Sequence, residues 1–235
     1  MTKSILIVAA ERGLGLGLAE QFFKRGWRVV GTARQHADVT DLLSIGAGNP
    51  DRLAVARIDV TKANEINPFL TSLSDRRFDV IYLNAGIFGP IHQSVLEATD
   101  EDFAEIMLTN TFGPIRLARH LINNLVTPGG TLAFMSSHRG SVEINVEAGL
   151  ELYRASKVSL NMLARGIYAD YKQQGLTVLS IHPGWARTAM GTLDGAVEPE
   201  IELETSVHGV ADVVERHMAT GENLYLDYED SKLPW

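Results

Sequence analysis

Residues 4–20 read Ser4-Ile5-Leu6-Ile7-Val8-Ala9-Ala10-Glu11-Arg12-Gly13-Leu14-Gly15-Leu16-Gly17-Leu18-Ala19-Glu20. The apolar run Ile5–Ala9 reads as a fully buried strand, and Leu14–Lys24 carries apolar residues at helical spacing. Between them, Gly13 and Gly15 mark a tight strand-to-helix turn. There, backbone N–H groups can point at a phosphate and the helix dipole favours its charge. Close strand–helix packing without a ligand explains the same glycines, so this segment defines a layout before it defines a ligand.

The layout recurs along the chain. Candidate strands are Ile5–Ala9, Trp27–Thr32, Leu53–Ile58, Val80–Leu83, Thr131–Met135, Thr177–Ile181 and Leu224–Asp227. Helical spacing occupies Leu14–Lys24, Ile66–Leu73, Phe103–Leu108, Pro114–Leu125, Tyr153–Tyr171 and Val207–Met218. Strands of near-continuous apolar character alternating with helices predict an α/β fold. The expected form is a single Rossmann-type, doubly wound parallel sheet of about seven strands, with helices on both faces. At 235 residues, one such domain spans 1–235, with ligands at the carboxyl ends of its strands. The acidic stretch Gly191–Thr205 is the loosest, and 186–205 is expected to form a substrate lid or loop.

Composition removes several functions. A net charge of −8 without a basic cluster argues against nucleic acid or an anionic membrane as partner. No cysteine is present, which excludes disulfides and thiol catalysis and suits a reducing, cytoplasmic setting. The seven histidines are scattered, so no metal site is expected. No apolar run is long enough to span a bilayer, and the N-terminal apolar run is shorter than a signal peptide requires.

Chemistry enters with Tyr153-Arg154-Ala155-Ser156-Lys157. Four residues apart on a helix, Tyr153 and Lys157 share a face. An ammonium beside a phenol favours the phenolate, lowering its pKa from about 10 and suiting it to general acid–base work on a carbonyl or alcohol. Such a pair is also common on plain helix surfaces; its position decides. Met135-Ser136-Ser137 ends the strand before it, and His182-Pro183-Gly184-Trp185 ends the strand after it, both at the ligand-binding edge.

With these motifs in order, the chain resembles the short-chain dehydrogenase/reductase family over essentially its full length. "YRASKVSLNMLAR", "SSHRGSV" and "HPGWARTAMG" are similar to the branch of C-factor and sniffer-like carbonyl reductases. The resemblance implies a catalytic set of Ser137, Tyr153, Lys157 and Asn110. Tyr153 exchanges the proton, Lys157 lowers its pKa and holds the nicotinamide ribose, and Ser137 positions the substrate oxygen. Ser141 is a possible substitute for Ser137, and Asn110 has a plainer alternative as a structural amide. Ala9, Glu11, Arg12, Gly13, Leu14 and Gly15 correspond to the dinucleotide loop, and Asp59 and Val60 to the adenine site. Asn84, Ala85 and Gly86 match the family's Asn-Ala-Gly turn. Pro183, Gly184, Trp185 and Thr188 fall in the segment that holds the nicotinamide. The same resemblance implies a homodimer or homotetramer, built through the helices containing Asn110–Leu125 and Tyr153–Tyr171.

Two departures stand out. Val8 replaces a threonine that normally steadies the loop, and Ala9 replaces its first glycine, a change that strains the chain only if φ there is positive. For the cofactor, Ala33 stands where NAD-preferring relatives carry an acid, and Arg34 follows, suited to a 2′-phosphate. With Arg12 as a second cation, NADP is expected ahead of NAD, although the Glu11 carboxylate opposes a 2′-phosphate. The expected activity is hydride transfer between the nicotinamide and a small carbonyl or alcohol substrate. Its pocket would be lined by Ile87–Gln93, His138–Leu152 and Trp185–Val197. A dinucleotide-binding regulatory protein is the competing reading.

Overall fold

The computed structural model describes residues 2–235. Its strands are β1 (Ser4–Val8), β2 (Arg28–Ala33), β3 (Leu53–Arg57), β4 (Val80–Leu83), β5 (Thr131–Met135), β6 (Thr177–His182) and β7 (Asn223–Asp227). They form one parallel seven-stranded sheet in the order β3-β2-β1-β4-β5-β6-β7. The order reverses between β1 and β4, so a crevice opens at their carboxyl ends.

The helices are α1 (Gly13–Lys24), α2 (Thr40–Ile45), α3 (Ile66–Leu73), α4 (Asp100–Met107), α5 (Gly113–Leu121), α6 (Glu151–Tyr171) and α7 (Leu203–His217). Alternate strand residues face opposite layers. Leu6, Val8, Ile81, Leu83, Leu132, Phe134 and Val178 pack under α3, α5 and α6 against Phe69, Leu121 and Ile167. Ile5, Ile7, Tyr82, Ala133, Leu179 and Ile181 pack under α1 and α7 against Leu18, Phe22, Val210 and Val214. Because both faces are buried, the strands show continuous apolar runs and no polar alternation.

The elements differ from expectation in several places, among them the start of α7 at Leu203, four residues before the expected Val207, and the end of α5 at Leu121. Helix α2 escapes pattern reading because it is six residues long and buries only Leu42. The two helices expected at Phe103–Leu108 and Pro114–Leu125 are α4 and α5, joined through a π-helical turn, Leu108–Phe112. Helix α4 starts early because Thr99 and Asp102 form a reciprocal cap: the Thr99 hydroxyl accepts from Asp102 N (3.1 Å) and the Asp102 carboxylate from Thr99 N (3.0 Å). Gly113 admits no side chain, since a Cβ would lie 2.6 Å from the carbonyl oxygens of both Leu108 and Val60. Segment 186–205 is irregular up to α7. Its base is closed by an Ala186–Ile201 bridge and by Arg187, which reaches Glu198 and Glu202 at 3.0 Å each.

Candidate active site

The loop after β1 is shaped by tight packing. Ala9 adopts the left-handed conformation, φ +62°, and Gly13 follows at +54°. Two side chains from elsewhere hold Ala9: its N–H donates to the Thr32 hydroxyl (3.1 Å), and its carbonyl accepts from Asn84 Nδ2 (2.8 Å). Thr32, on β2, and Asn84, after β4, thus brace the loop where Val8 offers no hydroxyl. Gly15 cannot be replaced, because a Cβ there would sit 2.0 Å from the Ala9 oxygen.

No side chain caps the N-terminus of α1 at Arg12, so the first-turn N–H groups are available to an anion. Arg12 and Arg34 are both exposed, and neither enters an ion pair among the described residues. Glu11 is half-buried, and its Oε2 has no hydrogen-bond partner among the described residues. A glycine loop with an uncapped helix end and two free cations fits a phosphorylated dinucleotide.

An alanine at φ +62° carries a steric cost of roughly 1–2 kcal/mol, partly offset by the greater chain entropy glycine loses on folding. Ala9→Gly is therefore expected to stabilise the protein by about 0.5–1 kcal/mol, a rise in Tm of about 2–3 °C. Thermal unfolding checks this; an unchanged or lower Tm contradicts it.

At the ends of β4, β5 and β6 the candidate catalytic groups converge. Lys157 is buried, 3% exposed, and its Nζ donates to the Met135 carbonyl (2.9 Å) while lying 5.6 Å from the Tyr153 ring centre. Gly86 borders it: a Cβ there would stand at ordinary contact distance, 3.4 Å from Nζ and 3.5 Å from Asn110 Oδ1. Burial pushes the Tyr153 phenol up to about 12, a shift that the neighbouring Ser137 side chain partly opposes. Burial likewise pushes the Lys157 ammonium down to about 8. The expected ordering, with Lys157 lowering the phenol, therefore gives way to desolvation of both groups. In this state the phenol stays protonated through the neutral range.

Ser137 sits at the end of β5, its Oγ accepting from Arg139 N (3.2 Å) and its carbonyl from the Tyr225 hydroxyl. Ser141 is also buried, and its Oγ accepts from Ile144 N (3.2 Å) in the turn that follows. Ser137, not Ser141, is the serine that influences the Tyr153 phenol. Asn110 lies buried in the π-helical turn, and its amide grips the backbone of Ile87. Oδ1 accepts from Ile87 N (2.7 Å), and Nδ2 donates to Ile87 O (2.9 Å) and to Ser156 Oγ (3.0 Å). It makes no hydrogen bond to Lys157, so in this structure it braces the β4 loop against α6.

The remaining candidates flank the crevice. Asp59 Oδ1 accepts from Thr61 N (2.9 Å) and Thr61 Oγ1 (2.7 Å), shaping the turn after β3, and Val60 is buried beneath it. Ala85 is buried and Asn84 faces the β1 loop. After β6, the Pro183 carbonyl accepts from Ser206 Oγ (2.5 Å). Gly184, at φ +77°, has space for no Cβ, which would approach Ile201 to 2.5 Å. Trp185 Nε1 donates to Gly191 O (2.6 Å), and Thr188 Oγ1 accepts from Gly191 N (3.0 Å). Thr188 Cγ2 is 3.8 Å from where a Gly13 Cβ would be, so the β6 segment closes over the β1 loop. Nearby, His138 Nδ1 and His182 Nε2 are 2.9 Å apart, and burial pushes His182 down to about 3.

Thr32, Gln93 and Tyr225 belong to no motif, Asn161 falls within the stretch YRASKVSLNMLAR, and sequence reading gave none of the four an individual role. Asn161 is one turn beyond Lys157; it accepts from Ser136 Oγ (2.7 Å) and donates to Gly140 O (3.1 Å). Its place on the Tyr153/Lys157 side of α6 was the available signal.

The profile of the family described as short chain dehydrogenase matches residues 3–196. The chain belongs to that family. It is 36% identical to a short-chain dehydrogenase/reductase of Burkholderia multivorans with bound NADP (TM-score 0.94), each chain covered over 100% of its length. It is 35% identical to a carbonyl reductase of Pseudomonas aeruginosa in complex with NADP (TM-score 0.89), again with 100% of both chains covered. Among curated proteins, it is 28% identical to C-signal of Myxococcus xanthus over 168 residues, 71% of this chain and 98% of that one. Among the described residues, this short-chain dehydrogenase has no helix long and apolar enough to cross a membrane. It also has no group of three or more His, Cys, Asp or Glu placed to hold a metal.

Proposed function

We propose that the protein is an NADP(H)-dependent carbonyl reductase or alcohol dehydrogenase with Tyr153 as its general acid and base. The observation that carries this is the gathering of half-buried Tyr153 with buried Ser137 and Lys157 beside an uncapped glycine-loop helix. When bound, the dinucleotide supplies or accepts the hydride. In reduction, Ser137 Oγ hydrogen-bonds the substrate carbonyl and holds it beside the phenol. Tyr153 gives its proton to that oxygen, which becomes the hydroxyl of the product alcohol, and the phenolate regains a proton from solvent. Lys157, fixed by the Met135 carbonyl, steadies the phenolate and the nicotinamide ribose. Asp59, Val60 and the Asn84–Gly86 turn border the adenosine side, and the 183–188 segment borders the nicotinamide. Segment 186–205 serves as the substrate lid.

NADP is favoured over NAD because Ala33 offers no acid to a ribose 2′-hydroxyl, whereas Arg34 and Arg12 are free to pair with a 2′-phosphate. The NADP in both similar structures supports the same choice. Calorimetric titration with NADPH and NADH, followed by NADPH oxidation against aldehydes, ketones and quinones, tests the proposal. Tighter binding of NADH overturns the cofactor assignment, and absence of turnover across the panel favours a regulatory role, to which the similarity to C-signal points.

The protein is further proposed to form a homodimer through α4–α6. Phe103, Leu108 and Phe112 are exposed from α4 through the π-helical turn, and Met162 is exposed on neighbouring α6. Sedimentation at micromolar concentration distinguishes dimer, tetramer and monomer.

A further inference from the structure

Gln93 lies in the segment after β4, in no recognisable motif, yet it is 2% exposed and held at φ +56°, a conformation that is unfavourable for glutamine. Every polar group of its side chain is used. Oε1 accepts from the Tyr153 backbone N–H at 2.8 Å, and Nε2 donates to the carbonyls of Phe88 (2.8 Å) and Pro90 (2.7 Å). Its own carbonyl accepts from Leu152 N (3.4 Å).

These bonds meet a specific need. Helix α6 begins after Leu150, a left-handed residue at φ +52° whose side chain caps nothing. The first-turn N–H groups of the helix that carries Tyr153 and Lys157 therefore have no local acceptor. Gln93 supplies two, from 60 residues earlier in the chain. The tie is reciprocal, because Glu151 in that first turn accepts from Val95 N (2.8 Å). The other end of the same segment is fixed by Asn110 on Ile87, and the Phe88 ring stands 5.7 Å from the Tyr153 ring.

We propose that Gln93 is a positioning residue for the general acid: it caps α6 from outside the helix and sets the Tyr153 side chain relative to the segment that lines the substrate side. This rests on the assignment of Tyr153 above. Gln93 touches neither the phenol oxygen nor the glycine loop, so its effect passes through the placement of Tyr153. A displacement of about 1 Å at a reacting group can cost on the order of a hundredfold in rate.

Two measurements test this. In the wild-type protein, amide exchange at Tyr153 should be slow, comparable to that at residues one turn further into α6; exchange at the rate of an unprotected first-turn amide overturns the proposal. Second, Gln93→Met keeps the side-chain volume and removes all three side-chain hydrogen bonds. Its kcat for carbonyl reduction should fall about 10–100-fold, with KM for the carbonyl and Kd for NADPH within about threefold of wild type. A kcat within twofold of wild type, or a loss matched by weaker NADPH binding, overturns the proposal. If Gln93→Met does not fold, the wild-type exchange decides alone. Tyr153→Phe as a parallel control separates the two readings: if it keeps its turnover, the assignment of the acid fails, whatever Gln93→Met does.

Discussion

Tyr153→Phe is expected to lose carbonyl reduction by about 10²–10⁴-fold, the usual contribution of a positioned general acid, while binding NADPH within a few-fold of wild type. The substitution keeps the ring, its burial and its packing beside Phe88 at 5.7 Å, and removes only the hydroxyl. The loop around Gly13 and Gly15 is braced by Thr32 and Asn84, not by Tyr153, so the binding platform for the phosphates is untouched. The phenol, pushed up to about 12 by burial, stays protonated through the neutral range, so its removal deletes a proton donor rather than a charge. Folding is unaffected for the same reason. Single-turnover oxidation of NADPH, paired with calorimetry, reads both effects. A phenylalanine variant that keeps a tenth of the wild-type rate shows that the proton comes from another group.

Lys157→Met is expected to give a protein that is more stable and inactive. The ammonium is buried with the Met135 carbonyl as its one hydrogen-bond partner, and no ion pair to it forms among the described residues. Its depression from 10.5 to about 8 means that folding is opposed by about 3 kcal/mol when both folded and unfolded chains carry the proton. Methionine has a similar shape and removes that cost, but leaves the Met135 carbonyl unpaired, which returns about 1–2 kcal/mol. The net gain without cofactor is about 1–2 kcal/mol at pH 7, or a few degrees in Tm.

The pH dependence carries the sign. The unfolded lysine binds its proton more tightly, so wild-type stability rises with pH between about 8 and 10.5 and is flat, with the whole penalty present, below about 8. The methionine variant lacks this rise, so the two curves cross at about pH 9, and above it the wild type is the more stable. Turnover should fall at least about a hundredfold, because the phenolate left after proton transfer loses its neighbouring cation. Unfolding midpoints measured from pH 6 to 10 check the first effect. A variant that is less stable than wild type at pH 7 shows that the lysine is better solvated than its burial implies.

Much of the fold was legible in the order of the residues. Buried strands such as Ile5–Val8 and Val80–Leu83 announce themselves because both faces of a parallel sheet are covered. Helices α1 and α6 show their periods because each packs one face on the sheet. Helix α2 was invisible because a single buried leucine makes no pattern, and the ends of α4 depended on a Thr99–Asp102 cap that lies outside the apolar spacing. The spacing of Tyr153 and Lys157 placed them on one face, since the helix repeat determines that without help from the rest of the chain.

The state of those groups was another matter. Whether Lys157 or desolvation dominates the Tyr153 phenol depends on how many neighbours exclude water, and those come from β4, β5 and α6 together. The conformation of Ala9 was equally undecided by its own segment: φ is positive because Thr32 and Asn84 hold it there, from 23 and 75 residues away. Gln93 shows the same limit, as one residue of the expected pocket lining in one dimension and the cap of the Tyr153 helix in three. Most strands and helices can be read from the order of residues, because periodicity and burial are local averages over many positions. Which polar groups meet is set by packing between distant segments. A hydrogen bond depends on a few tenths of an ångström between segments whose separation along the chain leaves no trace in either one.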